Sequence, residues 1–405
     1  MRVSPMDDQA SRGLYLHIPF CQQRCHFCAF YLEIHQPEAA EAFVESLLAE
    51  LQLYGAQDPF DGAPLDSIYF GGGTPTTLTP QHLSKLLSTA RRTFGLAQDA
   101  EITVEAHPAS VSREGLSRLR QAGFTRLSFG AESMDQQELT LVGRPGSPTD
   151  TATMVAAARD AGFVALNLDL MYGLPGQTLA SWARSLREVL ELDPTHISCY
   201  ALTVEAGTRL QGAVQRGLVP APDEGLQNEM EDMAEGLLRE AGYNRYEISN
   251  YCRPGFASRH NRLYWTGGQY LGLGPSAQSY VNGRRFGNVA DLALYNRMLR
   301  RGECPIEESQ QLPTAVAIGE RVVFGLRLTE GVSLQHVGVA AIPSLARRID
   351  DLVEVALLER AGNSIRLTTQ GRRYADHVAL SLWSSVEAPP SSAAPIDFRH
   401  RQRRD

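Results

Sequence analysis

Long apolar runs are missing from this 405-residue chain: no stretch approaches the ~20 residues a membrane-spanning helix needs. Positive charge is short too. The formal net charge is −8, which argues against a nucleic-acid-binding surface. There is no HExxH run and no recognisable Ser/His/Asp arrangement, so side-chain acid–base groups are not expected to lead the chemistry. Cysteine is scarce as well. Of six, Cys199, Cys252 and Cys304 stand alone and read as small apolar fillers. Nothing marks the chain as secreted, so a reducing, cytoplasmic setting is expected. Residues 1–12 form a polar leader without the apolar core of a signal peptide. The basic end RHRQRRD follows VEAPPSSAAP and reads as a flexible tail over 385–405. No internal repeat is evident.

What is present is concentrated in one loop. Cys21, Cys25 and Cys28 stand in HIPFCQQRCHFCAF as C-x3-C-x2-C. Soft thiolates at this spacing select an iron–sulfur cluster or zinc. A cubane [4Fe–4S] cluster normally takes four cysteines, so three would leave one iron open beside whatever cavity lies there. Structural zinc needs a fourth ligand. His17 and His26 lie near in sequence, and Cys199, Cys252 and Cys304 are distant candidates, but no second Cys/His pair stands a spacer away. A disulfide does not suit a reducing compartment.

Along the chain, strand-like runs alternate with amphipathic helices, the pattern of a parallel sheet built from βα units. Strands are predicted at Gly13–Ile18, Ser67–Phe70, Glu101–Glu105, Arg126–Gly130, Val164–Met171 and His196–Ala201. A helix carrying Ala40, Phe43, Val44, Leu47, Leu48 and Leu51 is expected to close at Gly55. Thr79-Pro80 reads as the N-cap and first residue of another, with Leu83, Leu86, Leu87 and Ala90 facing inward. A doubly covered parallel sheet is usually apolar on both faces, yet these strands carry a polar face. Thr103 and Glu105, Ser128 and Glu132, Asn167 and Asp169, and His196, Ser198 and Tyr200 all alternate with apolar residues. Side chains alternate faces along a strand, so these groups should converge on a polar lumen. Gly71-Gly72-Gly73, at a strand's carboxyl end, let backbone approach a neighbour closely, at the end where βα barrels place their sites.

The cysteine loop after a strand ending His-Ile-Pro-Phe resembles that of the radical S-adenosylmethionine (SAM) family. Within it the chain is similar to the oxygen-independent coproporphyrinogen III oxidase group, and more closely to its haem-chaperone branch. The likeness runs from about Gly13 to near Trp383, through YFGGGTPT, EAHP, RLSFGAES, VGRP, NLDLMYGLPGQT, HISCYALT, YEISNYCRPG, HNRLYW and YLGLGPSAQSY.

The resemblance implies an α/β fold: an open (β/α)6 partial barrel over residues 13–205, a barrel-covering segment over 206–305 and a small, mainly helical, winged-type domain over 306–384. Ala315–Leu328 and Ser344–Leu357 read as that domain's amphipathic helices. It also implies a [4Fe–4S] cluster on Cys21, Cys25 and Cys28, with SAM chelating the open iron and releasing a 5′-deoxyadenosyl radical on reduction. Gly72, Gly73 and Thr74 would contact the methionine moiety. Tyr15 and Phe27 would pack near adenosine and cluster. Glu105, Glu132, Arg144 and Asp169 would hold the polar and charged groups. His260, in HNRLYW, would bind haem. Two positions depart from the family: Glu132 stands where glutamine is usual, and Gln278 where the haem-chaperone branch commonly has histidine. The oxidases carry a further cysteine where this chain has Phe30, and a longer arm before the first strand.

The resemblance implies a chaperone that binds haem and passes it to apoproteins; the alternatives are an oxidase that decarboxylates coproporphyrinogen III and a non-enzymatic structural metal protein. The implied partners are haem, haem-accepting apoproteins and a low-potential electron donor such as flavodoxin or ferredoxin. Nucleic acid is not among them. A monomer or a haem-linked dimer is expected.

Overall fold

A computed structural model describes residues 11–386. Most of the leader and the tail lie outside the described residues. Six parallel strands follow one another: β1 (Arg12–Ile18), β2 (Leu65–Gly72), β3 (Leu96–Ala106), β4 (Arg126–Glu132), β5 (Ala165–Tyr172) and β6 (His196–Ala201). Between them run α1 (Pro37–Gln57), α2 (Pro80–Phe94), α3 (Arg113–Ala122), α4 (Pro148–Asp160) and α5 (Leu179–Glu191). Caps fix where these helices begin. Thr79, Ser112, Ser147 and Thr178 each accept a hydrogen bond from a backbone N–H of the first turn, satisfying donors that the helix cannot.

Apolar residues on the outer strand face, among them Leu14, Leu16, Phe70, Val104, Phe129 and Leu168, are fully buried against these helices. Burying one such side chain is worth about 1.5–3 kcal/mol, so this face sets the strand register. Helix α1 does not end at Gly55 as expected. It runs to Gln57, and Asp58 closes it in the left-handed conformation. Gly55 serves packing instead: a Cβ there would lie 2.1 Å from the Thr93 side chain of α2.

The segment 206–305 does more than cover the barrel: it extends the sheet at both edges. It contributes α6 (Glu224–Glu240), β7 (Asn244–Glu247), β8 (Asn250–Cys252), α7 (Arg259–Trp265), β9 (Gln269–Leu273), β10 (Gln278–Val281), β11 (Arg284–Asn288) and α8 (Leu292–Arg300), and β12 (Ile306–Gln311) follows. The sheet order is β12-β11-β10-β9-β1-β2-β3-β4-β5-β6-β8-β7. Strand β9 joins β1 in parallel, while the outer strands pair antiparallel. These strands are short and rich in glycine and polar residues, so their periodicity is weak.

The C-terminal region packs its own apolar cluster, including Val322, Leu345, Ile349, Ile365 and Leu382. Helices α9 (Thr314–Gly325), α10 (Pro343–Glu354) and α11 (Ala375–Trp383) enclose a three-stranded sheet of Val332–Ser333, Ser364–Leu367 and Leu358–Ala361. Among the described residues no helix is long and apolar enough to cross a membrane.

Candidate active site

The strand register assembles the polar lumen. Glu105 lies beside Ser128, Ser128 beside Asn167, and Asn167 beside His196. One row nearer the amino ends, Tyr15, Tyr69, Thr103 and Arg126 align in the same way. The inward polar residues anticipated from alternation all line one cavity of about 1020 Å³, as do Cys21, Cys25, Cys28, Phe27, Gly72, Gly73, Thr74 and Arg144.

The cysteine loop is tied down from three sides. Its amino end is held by β2: Gly73 N–H donates to Ile18 O at 2.8 Å, Thr74 N–H donates to Phe20 O at 2.7 Å, and Cys21 Sγ lies 3.5 Å from Thr74 Oγ1. A Cβ on Gly73 would stand 2.6 Å from Phe20 O, and one on Gly72, at φ +111°, would meet the His17 ring at 2.8 Å. These glycines are therefore required by the loop and by His17 before any ligand arrives. Arg24 fans its guanidinium onto the carbonyls of Cys28, Phe30 and Leu32 at 3.5, 3.3 and 3.0 Å. His26 is anchored through its backbone to Val142 O at 2.9 Å. Arg24 was not singled out from sequence, because nothing local separates it from a solvated arginine.

All six cysteines are free thiols. Burial pushes the Cys21 thiol up and Cys28 up to about 11, and the neighbouring sulfurs add to both shifts. Among the described residues no group of three or more His, Cys, Asp or Glu side chains is gathered for a single metal ion. Cys199 and Cys252 are buried in strands β6 and β8. A closed tetrahedral zinc site therefore lacks its ligand set. A cubane carries an iron under each thiolate and spreads its ligands more widely.

Glu105, Glu132, Asp169 and the Arg144 guanidinium face one another across the cavity, which Glu205 and Arg126 also line. Glu105 and Glu132 are each raised to about 7, chiefly by burial, and Asp169 is also raised by burial. The three repel one another. Arg144 is their counter-charge: it lies 3.3 Å from Glu132, donates to Gly130 O at 2.6 Å and reaches Cys25 Sγ at 3.6 Å. Its attraction for Glu132 is outweighed by burial of the carboxyl. Glu132 sits at φ +65°, a conformation glutamate seldom adopts. Asp169 accepts from Ser128 at 3.0 Å and from Asn167 at 2.8 Å, and Asn167 in turn meets His196 at 2.6 Å. Glu105 accepts from the Tyr69 hydroxyl at 2.6 Å.

Two expected positions fall elsewhere. Tyr15 does not line this cavity. Its ring stacks on Tyr69 and His260 and borders a second cavity instead. His260 lines neither cavity. Its ring is buried, with Nδ1 2.8 Å from Ser67 Oγ and Nε2 2.9 Å from the Tyr264 hydroxyl, and burial lowers it to about 3. Both ring nitrogens are engaged, so in this conformation His260 offers no axial position to haem. The second cavity, about 600 Å³, was not foreseen. Tyr264, Trp265, Tyr270, Tyr280 and Gln278 line it.

An open parallel barrel with three cysteines and a glycine-rich strand end at the mouth of a polar lumen defines a radical SAM protein. Accordingly, the sequence profile of the radical SAM superfamily matches residues 15–189, and that of the HemN C-terminal domain matches 312–374. The chain is 36% identical to heme chaperone HemW of Mycobacterium tuberculosis, over 94% of this chain and 96% of that one. It is 34% identical to HemW of Bacillus subtilis, over 91% and 98%. It is 32% identical to the mitochondrial radical S-adenosyl methionine domain-containing protein 1 of Bos taurus, over 95% and 90%. The chain belongs to the HemW family of radical SAM haem chaperones. The solved structure of coproporphyrinogen III oxidase HemN from Escherichia coli shares the fold, with a TM-score of 0.79 at 24% identity over 92% of this chain and 90% of that one.

The residues present fit the cofactors this family implies. Three thiols face a lumen with an excess of buried carboxylate, which suits a sulfonium and an ammonium. Two buried donors there, Arg144 Nε and Thr103 Oγ1, lack partners among the described residues.

Proposed function

We propose that this protein binds haem and hands it to apoproteins, and that it carries a [4Fe–4S] cluster and SAM in the polar cavity. The observation that carries this reading is end-to-end similarity to bacterial proteins named heme chaperone HemW, in a chain whose HNRLYW helix borders a separate apolar cavity. Cys21, Cys25 and Cys28 would hold the cluster. Gly72, Gly73 and Thr74 would present backbone and hydroxyl to SAM's methionine end, and Phe27 would pack on it. Arg144 would take a carboxylate, while Glu105, Glu132 and Asp169 would face the cationic groups. When bound, cluster and SAM together supply one-electron chemistry. The chain's own part is to orient, to exclude water and to balance charge. Phe30, half-exposed on the cysteine loop, stands where the oxidases carry a further cysteine and so speaks against that alternative. A cytoplasmic setting and a flavodoxin- or ferredoxin-type donor complete the reading.

Transfer tests it. Haem-loaded protein mixed with apomyoglobin should give the holomyoglobin Soret spectrum faster than an equal amount of albumin-bound haem. No transfer beyond the albumin control contradicts the proposal.

A further inference from the structure

The second cavity shares only Phe30, Gly72 and Glu105 with the chamber of the three cysteines. Its volume of about 600 Å³ falls in the range of small-molecule sites. It lies between α7, strands β9–β11 and helices α9 and α11 of the C-terminal domain. The wall is aromatic and mostly apolar. Tyr264 meets Tyr270 edge to face at 4.7 Å, and Tyr270 meets Tyr280 at 6.4 Å. Trp265 lies 6.4 Å from Phe324 and under the Arg327 guanidinium.

Two hydrogen-bond donors at this wall lack an acceptor among the described residues. One is the buried indole Nε1–H of Trp265. The other is Arg321, exposed, with its stem over Gly267 and no ion-pair partner. The carboxylates Glu105 and Asp376 also reach the wall, but Glu320 is already taken, gripping Arg285 through both guanidinium nitrogens. A flat apolar ring with anionic groups on one edge matches such a wall. The first cavity, with its three crowded carboxylates, would repel the same ligand.

Ferric iron also needs an axial donor. Of the phenols here, Tyr264 is engaged by His260, and Tyr15 lies 3.4 Å from His17 Nδ1. Tyr280 gives its ring face to Arg285. Burial raises the Tyr270 phenol; the Arg285 guanidinium, hydrogen-bonded to its oxygen, works the other way and favours a phenolate there. A tyrosine oxygen is an established axial ligand to haem iron.

We propose that this cavity is the haem seat, with Tyr270 as the axial ligand and Trp265 Nε1–H and Arg321 receiving the propionates. The inference rests on the haem-chaperone reading above. His260 then acts through Tyr264 as a positioning residue rather than as a ligand. Phe30, Gly72 and Glu105 form the wall common to both cavities, which sets the haem beside the cluster chamber.

Haemin titration into the full, cluster-reconstituted chain, followed in the visible spectrum, tests it. Wild type is expected to show a phenolate-to-iron charge-transfer band. Tyr270→Phe keeps the ring and its packing; it should lose that band and bind at least ~10-fold more weakly. Arg321→Gln should weaken binding about 3–10-fold with the band intact. Equal melting temperatures and iron contents establish that the variants are folded. Haem binding by wild type with the same band and affinity in Tyr270→Phe overturns the axial assignment and leaves the chaperone reading standing. Unchanged affinity in Arg321→Gln overturns the propionate assignment. No haem binding by wild type overturns the chaperone reading itself.

Discussion

Arg144 is the hinge of the charge balance at the cysteine loop. It is the guanidinium set among Cys25, Gly130 and Glu132, facing three carboxylates that burial makes reluctant to ionise. Glu105 gives this a measurable consequence. Burial pushes its carboxyl up from the ordinary glutamate value of 4.5, which the unfolded chain keeps, to about 7 in the folded one. Between those values the folded state holds a proton on Glu105 that the unfolded chain releases, so the contribution of Glu105 to stability falls as pH rises from about 4.5 to about 7. Denaturant melts across this window should show wild type losing stability relative to Glu105→Gln as pH rises. A constant difference between the two proteins would mean that Glu105 does not carry the shifted proton. Sequence made the carboxylates legible because each alternates with apolar neighbours. It could not reveal how His260 is spent: its partner Ser67 is far along the chain, and no local pattern announces a pairing of that kind.

At the scale of elements, the strand end of β2 and the cysteine loop form one unit. Gly73 packs against Phe20 O so closely that a Cβ would stand 2.6 Å away, and the obstructing atom is backbone, which cannot swing aside. Gly73→Ala should therefore displace the loop. Iron bound after anaerobic reconstitution is expected to fall to less than about half of wild type, with the far-UV circular dichroism unchanged. Full iron content would show that the loop does not depend on this contact. Much of the barrel was readable in advance. His196–Ala201 matches in full, and the other five central strands differ only at their ends, since alternation and helix caps are local signals. The edge strands β7–β11 were not, because runs such as Gln269–Leu273 and Arg284–Asn288 are short and interrupted by glycine. They gain strand geometry from pairing, in local hairpins and, for Gln269–Leu273, with β1 far away in sequence. Tyr15 shares the inward face of the sheet with Tyr69 and Thr103, yet it lines the second cavity, a division of the lumen that no local pattern announces.

Across the whole molecule, ion pairs tie the C-terminal domain to the sheet and to α6, beside a β-bridge from Glu247 to Leu328 and backbone hydrogen bonds around it. Arg285 and Glu320 form a buried bidentate pair, Arg372 reaches Glu235 at 3.0 Å, and Arg327 reaches Glu247 at 3.4 Å. Breaking a buried pair strands a charge and costs about 3–5 kcal/mol. Glu320→Gln, which leaves Arg285 without its counter-charge, should thus loosen the domain before the barrel unfolds. Differential scanning calorimetry is expected to resolve two transitions where wild type has one. A single transition at an unchanged temperature would exclude that coupling.

The proposed function requires a cluster with an open iron at the mouth of the polar lumen. Its most direct test is electron paramagnetic resonance of the anaerobically reconstituted, reduced protein with and without SAM, on samples analysed for metal and sulfide. About four irons and four sulfides per chain, with a reduced-cluster signal that changes when SAM is added, is the predicted result. Bound zinc without sulfide, or a cluster signal indifferent to SAM, would contradict it.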